Sequence, residues 1–422
     1  MQTFHKLDTW LNSKQGQLFH YKLEKITYAL DLLGKPHLDL PVIHVAGTNG
    51  KGSTIAFMRQ LFQAHGLRVG SFVSPHMVTV HDRICIDQTP ISDQDFQRFL
   101  QQVYELEQEV ATVYEPFRYF EVMVLIMFLY FREQQPDLAL IEVGIGGLLD
   151  TTNVVSPALS IITSIGLDHQ DLLGATLGEI AEQKAGIIKP EMPVVLGPFS
   201  ADISQQIRQI AAEKKAPIYQ LGQEFTSKAA TFNSPSFQLS ELVLGLPGQH
   251  QQENAALALQ SFLLYMEQIG QTVSADLVRQ ALAQTSWAGR LELIAENPKI
   301  YLDGAHNVPA MERLIEFIEM QDQPVTLLFS ALQRKDFQEM LDLLEEILPG
   351  IQLVLTSFAY DGALKEEQRQ GLTYVADYEG FIQEFQEQDQ GILIVTGSLY
   401  FISEVRKKYL NSVVFGPLFA NK

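Results

Sequence analysis

The stretch Val42-Ile43-His44-Val45-Ala46-Gly47-Thr48-Asn49-Gly50-Lys51-Gly52-Ser53-Thr54 decides the fold. Val42–Ala46 reads as a short buried strand and Ser53–His65 as an amphipathic helix, with glycines between them. That is the context a phosphate-binding loop requires. The glycines let backbone N–H groups approach and encircle an anion, and the helix N-terminus adds the positive end of its dipole. Lys51 can reach terminal phosphates, and a hydroxyl at Ser53 or Thr54 can hold Mg²⁺. Gly52 separates the lysine from the hydroxyls, so the spacing departs from the standard Walker A loop.

Working outward, strand-like apolar runs alternate with longer segments of helical period, which implies βαβ units and a mainly parallel sheet. Val69–Val73, Leu138–Val143, Leu159–Thr163 and Val194–Leu196 read as strands; Asp93–Val110, Leu177–Ile187 and Ala201–Lys215 read as helices. Between Phe225 and Gly248 the helical period disappears, and antiparallel hairpins attached to the main sheet are expected. Two helices follow, Gln252–Ile269 and Ser274–Thr285. The alternation restarts after Glu296-Asn297-Pro298. The expected class is α/β: an N-terminal nucleotide-binding domain over 1–296 with a mainly parallel sheet, and a smaller C-terminal α/β domain over 299–422.

With 30 Lys+Arg against 50 Asp+Glu, the 422 residues carry a net charge of −20. A nucleic-acid binder normally shows the opposite balance, and an anionic membrane surface is disfavoured for the same reason. The one cysteine, Cys85, excludes an internal disulfide framework and a cysteine-built zinc cage. The N-terminal residues lack the apolar core of a signal peptide. The apolar run Tyr119–Phe131 contains Glu121 and falls short of the ~20 residues that span a bilayer. A soluble, cytoplasmic monomer acting on small molecules is expected.

Gly47-Thr48-Asn49-Gly50-Lys51-Gly52-Ser53 resembles the phosphate loop of the folylpolyglutamate synthase/dihydrofolate synthase family, relatives of the Mur peptidoglycan ligases. The resemblance extends in separate blocks over nearly the whole chain. Ser74-Pro75-His76 is similar to an element whose serine ligates Mg²⁺. Asp82-Arg83-Ile84, with Ile91-Ser92, resembles a Glu-Arg-Ile loop with aspartate in place of glutamate. In Leu140–Gly147 a carboxylate, Glu142, ends a buried strand at the edge where α/β ligands bind. The resemblance makes it a Mg²⁺ ligand, with Asp150-Thr151-Thr152-Asn153 lining the same loop. Gly166-Leu167-Asp168-His169-Gln170 resembles a block whose histidine coordinates a second Mg²⁺. Lys184 stands where the family carries a lysine that can be carbamylated, which requires a neutral amine.

Glu115–Glu121 resembles the pterin-side element Thr-x-Phe-Glu, with Arg118 in place of the threonine. Phe120 could stack on a heteroaromatic ring and Glu121 hydrogen-bond its edge; the same aromatics also suit a helix core, and both readings stand. Arg83 and Asp150 complete the folate-side set. His250–Asn254, Trp287–Glu292 and Leu302–Asn307 match three further blocks. From these the resemblance implies that Asn254, Arg290, Asp303 and His306 close over the nucleotide, with Arg290 supplying charge to a phosphoryl group in transit. Arg334-Lys335-Asp336 and Thr396-Gly397-Ser398-Leu399-Tyr400 resemble late blocks of a more structural kind.

The implied reaction is ATP-dependent ligation of L-glutamate to folate or dihydropteroate through an acyl phosphate. Its implied catalytic residues are Lys51, His169, Lys184 and Arg290, and its implied metal ligands are Ser53, Ser74, Glu142 and His169. Two other readings are a Mur-type ligase acting on another acceptor and a nucleotide-binding module without ligation. Gly52 opposes the first, and the Arg290/Asp303/His306 set opposes the second.

Overall fold

Two helices, α1 (Gln2–Asn12) and α2 (Leu23–Leu32), precede strand β1 (Val42–Ala46), which leads through the glycine loop into α3 (Lys51–Ala64). The computed structural model describes residues 2–14, 22–38, 40–333, 337–368, 371–387 and 391–411; Arg334-Lys335-Asp336 lies outside them. The chain divides into two units. The first comprises Met1–His76, Val80–Leu244 and Gln252–Thr285; the second comprises Met77–Thr79, Gly245–Gln251 and Ser286–Lys422.

In the first unit α3 is followed by β2 (Val69–Phe72), β3 (Ile84–Ile86), β4 (Thr89–Pro90), α4 (Asp93–Val110), α5 (Tyr119–Gln134) and β5 (Leu138–Glu142). Then come β6 (Leu159–Ile162), α6 (Gln170–Leu173), α7 (Leu177–Ala185), β7 (Val194–Leu196), α8 (Ala201–Glu213) and β8 (Ile218–Gln220). The eight strands form one sheet in the order β4-β3-β2-β5-β1-β6-β7-β8. Pairing is parallel from β2 through β8, and β3 and β4 add an antiparallel edge. Every residue of β1 and β5 is buried, as expected for strands covered on both faces. The chain leaves β1 towards β2 but leaves β6 towards β7. The C-terminal ends of β1 and β6 are therefore a topological switch point, where open α/β sheets bind ligands.

Local sequence sets the helix starts. Ser92 accepts the Asp95 N–H at the head of α4, and Thr176 and Glu179 form a reciprocal capping box on α7. Helix α5 is apolar on nearly every face, and Glu121–Phe131 are all buried in a cluster with α4 and the sheet.

The segment expected to hang hairpins on the main sheet instead forms its own three-stranded antiparallel sheet: β9 (Thr226–Lys228), β10 (Thr231–Asn233) and β11 (Gln238–Leu239). These strands, mostly polar and exposed or half-buried, do not suit a parallel sheet buried on both faces. Their apolar residues, Phe232 and Leu239, pair across β10 and β11. Phe232 lines a small cavity with Ala255, Ala256 and Leu259 of α9 (His250–Gln268) and Leu282 of α10 (Ala275–Gln284).

The second unit holds β12 (Glu292–Glu296), β13 (Lys299–Leu302), α11 (Val308–Glu319), β14 (Val325–Phe329), α12 (Phe337–Ile347) and β15 (Gln352–Thr356). Next come β16 (Thr373–Val375), α13 (Tyr378–Gln386), β17 (Ile392–Thr396) and α14 (Leu399–Asn411). Its sheet runs β12-β13-β17-β14-β15-β16, with β12 antiparallel to β13 and the others parallel. Asn297-Pro298, expected between domains 1–296 and 299–422, is the turn of the β12–β13 hairpin. The division falls earlier, between Thr285 and Ser286. A proline turn inside a hairpin carries the same punctuation as a linker, so the residues alone did not separate the two.

Candidate active site

The helix after β1 begins at Lys51, two residues earlier than its apolar period suggests. Gly50 is its cap, in the left-handed region at φ +86°, where a side chain would be strained. A Cβ on Gly50 would also strike Asn254 Oδ1, and one on Gly47 would strike Thr163 Oγ1. Both glycines are required by close approach.

The loop is fastened to the chain beyond β6. Thr48 N–H donates to Ser164 O (3.0 Å) and Asn49 N–H to Ser164 Oγ (2.9 Å). Thr163 Oγ1 donates to Asn49 O (2.6 Å). Thr48 Oγ1 donates to Gly166 O and accepts the Gly166 N–H, each at 3.0 Å. Both strands of the switch point therefore hold one rigid anion loop. Thr163 and Ser164 were not singled out in the sequence, although they directly follow a buried apolar run at the ligand-binding edge.

Lys51 Nζ donates to the carbonyls of Gly47 (2.9 Å) and Thr48 (3.2 Å) and lies 3.9 Å from Glu142 Oε1. Glu142 Oε2 accepts the Ser74 N–H at 3.0 Å. The ends of β5 and β2 thus bring Glu142 and Ser74 together beside the loop lysine. Ser53 and Thr54 lie buried in the first turn of α3. Among the described residues no group of three or more His, Cys, Asp or Glu side chains forms a metal cage. One carboxylate with neighbouring hydroxyls suits Mg²⁺, which keeps water and takes further ligands from substrate phosphates. His169 caps the short α6 with φ +50°, a strained value for a non-glycine residue, and its N–H donates to Asp168 Oδ1.

Lys184 is buried at the end of α7, and burial together with the Lys51 charge pulls its ammonium down to about 7, opposed by Asp168 and Asp150. The loop after Glu142 lies against it: Leu148 N–H donates to Gln183 O (2.6 Å), and a Cβ on Gly147 would come 3.0 Å from Lys184 Cα. Asp150 holds that loop. Its Oδ2 accepts the N–H groups of Gly144 and Ile145 at 3.0 Å each, and its Oδ1 accepts the Thr152 N–H and hydroxyl. Burial raises its carboxyl despite these donors. Thr152 Oγ1 lies 2.8 Å from Nε2 of His44, whose pKa burial lowers to about 3, so the imidazole is neutral.

On the expected folate side, the Phe120 ring packs against the Gly144 backbone, where a Cβ would come 2.6 Å from Cζ, and lies 5.7 Å from the Phe72 ring. The Arg83 guanidinium sits 5.6 Å from the Tyr119 ring centre, and its Nε donates to His76 Nδ1 at 3.1 Å. Glu121 is already engaged: Oε2 accepts the Arg118 N–H (2.8 Å) and lies 2.8 Å from Lys25 Nζ. The apolar helix context concealed that partner, because Lys25 lies far away in sequence.

In the second unit Asp303 Oδ2 accepts the Leu291 N–H and Oδ1 the Ala305 N–H, each at 2.9 Å. Burial raises its carboxyl and the Arg290 charge opposes this. Arg290 Nη1 lies against Gly304, where a Cβ would come 2.5 Å away. His306 Nδ1 donates to Gly304 O (2.7 Å). Arg290, Asp303 and His306 therefore form one cluster, while Asn254 stands at the phosphate loop of the first unit.

Residues 45–262 match the Mur ligase middle domain. A dihydrofolate synthase/folylpolyglutamate synthase of Bacillus subtilis is 37% identical over 397 residues, covering 89% of this chain and 92% of that one. The folylpolyglutamate synthase of Lacticaseibacillus casei is 34% identical over 410 residues, covering 92% and 94%. A solved FPGS–AMPPCP–folate complex superposes with a TM-score of 0.85 at 32% identity, covering 97% of this chain and all of that one. The Mycobacterium tuberculosis folylpolyglutamate synthase complexed with ADP gives 0.88 at 26% identity over 97% and 99%. The chain belongs to the folylpolyglutamate synthase/dihydrofolate synthase family of the Mur ligase superfamily.

Proposed function

We propose that this protein is an ATP-dependent amide ligase that joins L-glutamate to a folate, with dihydropteroate as a second acceptor. The observation that carries this is the convergence of Lys51, Glu142 and Ser74 beside a fastened phosphate loop. It occurs in a chain spanning nearly the full length of enzymes named for that reaction. The −20 charge fits small-molecule substrates rather than nucleic acid, and among the described residues no helix is long and apolar enough to cross a membrane. We read the protein as a cytoplasmic monomer.

On this reading a folate carboxylate oxygen attacks the γ-phosphorus of ATP. The bond to the β-phosphate oxygen breaks, ADP leaves, and an acyl phosphate remains. The glutamate amine then attacks the acyl carbon, phosphate departs, and the amine proton passes to solvent. The loop N–H groups and Lys51 Nζ hold the phosphates in line, and the carbonyls of Gly47 and Thr48 give up Lys51 to them. Arg290, with Asp303 and His306 setting its surroundings within the second unit, is the residue to which the family resemblance assigns phosphoryl charge. Ser53, Ser74, Glu142 and His169 would hold Mg²⁺, which neutralises phosphate charge when bound. The buried amine of Lys184, its pKa pulled down to about 7, is in its neutral form competent to add CO₂ and become a carbamate. Phe120 offers a stacking face to the pterin, with Arg83 and Asp150 beside it.

The test is purified protein with ATP, Mg²⁺, L-glutamate and either reduced folates or dihydropteroate. Glutamate-dependent ADP release with a glutamylated product is expected. Neither ADP nor product with any acceptor would overturn the reading.

A further inference from the structure

The turn Glu115–Glu121 is held by buried charges from distant parts of the chain. Lys25, in the first turn of α2, is 3% exposed. Its Nζ lies 2.8 Å from Glu121 Oε2, 3.3 Å from Glu115 Oε1 and 3.2 Å from Pro116 O. All three oxygens belong to the one turn that opens α5. The Phe117 N–H donates to Glu107 Oε2 at 2.7 Å, and that carboxylate is itself paired with Lys14 at 2.7 Å. Glu115–Glu121, the four residues ahead of the helix and its first three, are thus held at both ends and in the middle.

Buried ion pairs are poor stabilisers, because desolvation offsets their attraction and apolar replacements often do as well. What the Lys25 arrangement does deliver is geometry. Three acceptors converging on one ammonium fix the entry angle of α5, and hence where Phe120 lies. Phe120 in turn packs on Gly144, two residues past Glu142. From these contacts we propose that Lys25 is a positioning residue for folate recognition: it sets the α5 entry turn so that Phe120 meets the substrate ring. Lys25 itself touches no substrate. The proposal rests on the ligase reading above and on the folate-side place given there to Phe120.

The test compares wild type, Lys25→Met, Lys25→Gln and Lys25→Arg, each assayed well below its own thermal midpoint. Lys25→Met is expected to raise KM for the folate acceptor about tenfold to a hundredfold, as displacement of a binding group by an ångström does. KM for ATP should stay within about twofold. Lys25→Arg, which keeps a cation on the same acceptors, should recover most of the folate KM. A Lys25→Met enzyme with a lowered midpoint but unchanged folate KM would overturn the proposal, as would folate and ATP KM values rising together. Should Lys25→Met not fold, Lys25→Gln, which keeps one donor on the turn, carries the same comparison. If neither folds, the pair is a folding requirement and the proposal fails. An inactive wild type would sink the ligase reading instead, so the two failures are distinguishable.

Discussion

Replacing Lys184 with methionine tests the central electrostatic claim about the first unit. Burial and the neighbouring Lys51 bring the Lys184 ammonium from its ordinary 10.5 to about 7. Below pH 7 the lysine is charged in both folded and unfolded chains, and the native state bears the full burden of a buried cation. Between pH 7 and 10.5 the unfolded chain holds the proton and the native chain does not, so wild-type stability rises with pH across that window. From the two pKa values the penalty is about 5 kcal/mol at pH 6.5 and about 2 kcal/mol at pH 9. Methionine, similar in length and uncharged, removes this dependence. The stability advantage of Lys184→Met over wild type should therefore be larger at pH 6.5 than at pH 9, by about 2–3 kcal/mol. The chain has two tryptophans, Trp10 in the first unit and Trp287 in the second. In a Trp287→Phe background, urea unfolding followed by Trp10 fluorescence reports the first unit alone. Buffers are purged of CO₂ so that no carbamate forms. An advantage that is flat with pH, or that grows towards pH 9, would refute the account of a depressed, desolvated amine. The same variant should lose glutamylation, because the reactive amine is gone.

Gly47→Ala places a Cβ against Thr163 Oγ1 at a φ of +154°, so calorimetric titration should show nucleotide-analogue affinity reduced at least about tenfold, and the strain should lower stability by about 1–3 kcal/mol. Glu142→Gln keeps shape but removes the carboxylate charge; titration of Mg²⁺ in the ligase assay should show a half-saturating concentration raised about tenfold or more. Arg290→Ala should lower kcat by about 10²–10³, the scale seen when one donor to developing charge is removed, with little change in the urea midpoint of the first unit. Glu107→Ala strands the Lys14 ammonium, the Trp10 indole N–H and the Phe117 N–H together, and denaturation should show a loss of about 3–5 kcal/mol.

How much of this was legible in the sequence follows from the range of each interaction. The phosphate loop was readable because its requirements are local: a strand, glycines for close approach, a lysine and a helix start occur within thirteen residues. The parallel sheet was readable for a related reason, since strands buried on both faces show as continuous apolar runs such as Leu138–Ile141. Even there, the first turn of α3 was placed late, because Lys51-Gly52 lacks apolar periodicity and only the left-handed Gly50 marks the cap. The hairpin proline at Asn297-Pro298 imitated a linker, since turn chemistry is the same whether the flanking strands pair or part. The residues that fasten and orient the site were not legible, because each acts across a large sequence distance. Ser164 meets Asn49 only because β1 and β6 are neighbours, and Lys25 meets Glu121 only because the first turn of α2 reaches the turn that opens α5. Glu121 shows the consequence most directly. As a motif residue it presents a carboxylate free for a ligand, whereas in the fold its Oε2 is engaged by Lys25 and by the Arg118 N–H at the head of its own helix. A sequence match names the residue, but only the topology decides whether its oxygens face the substrate or the scaffold. On the ligase reading proposed above, the ring of Phe120 is therefore the contact expected to meet the folate, with Glu121 holding the turn behind it.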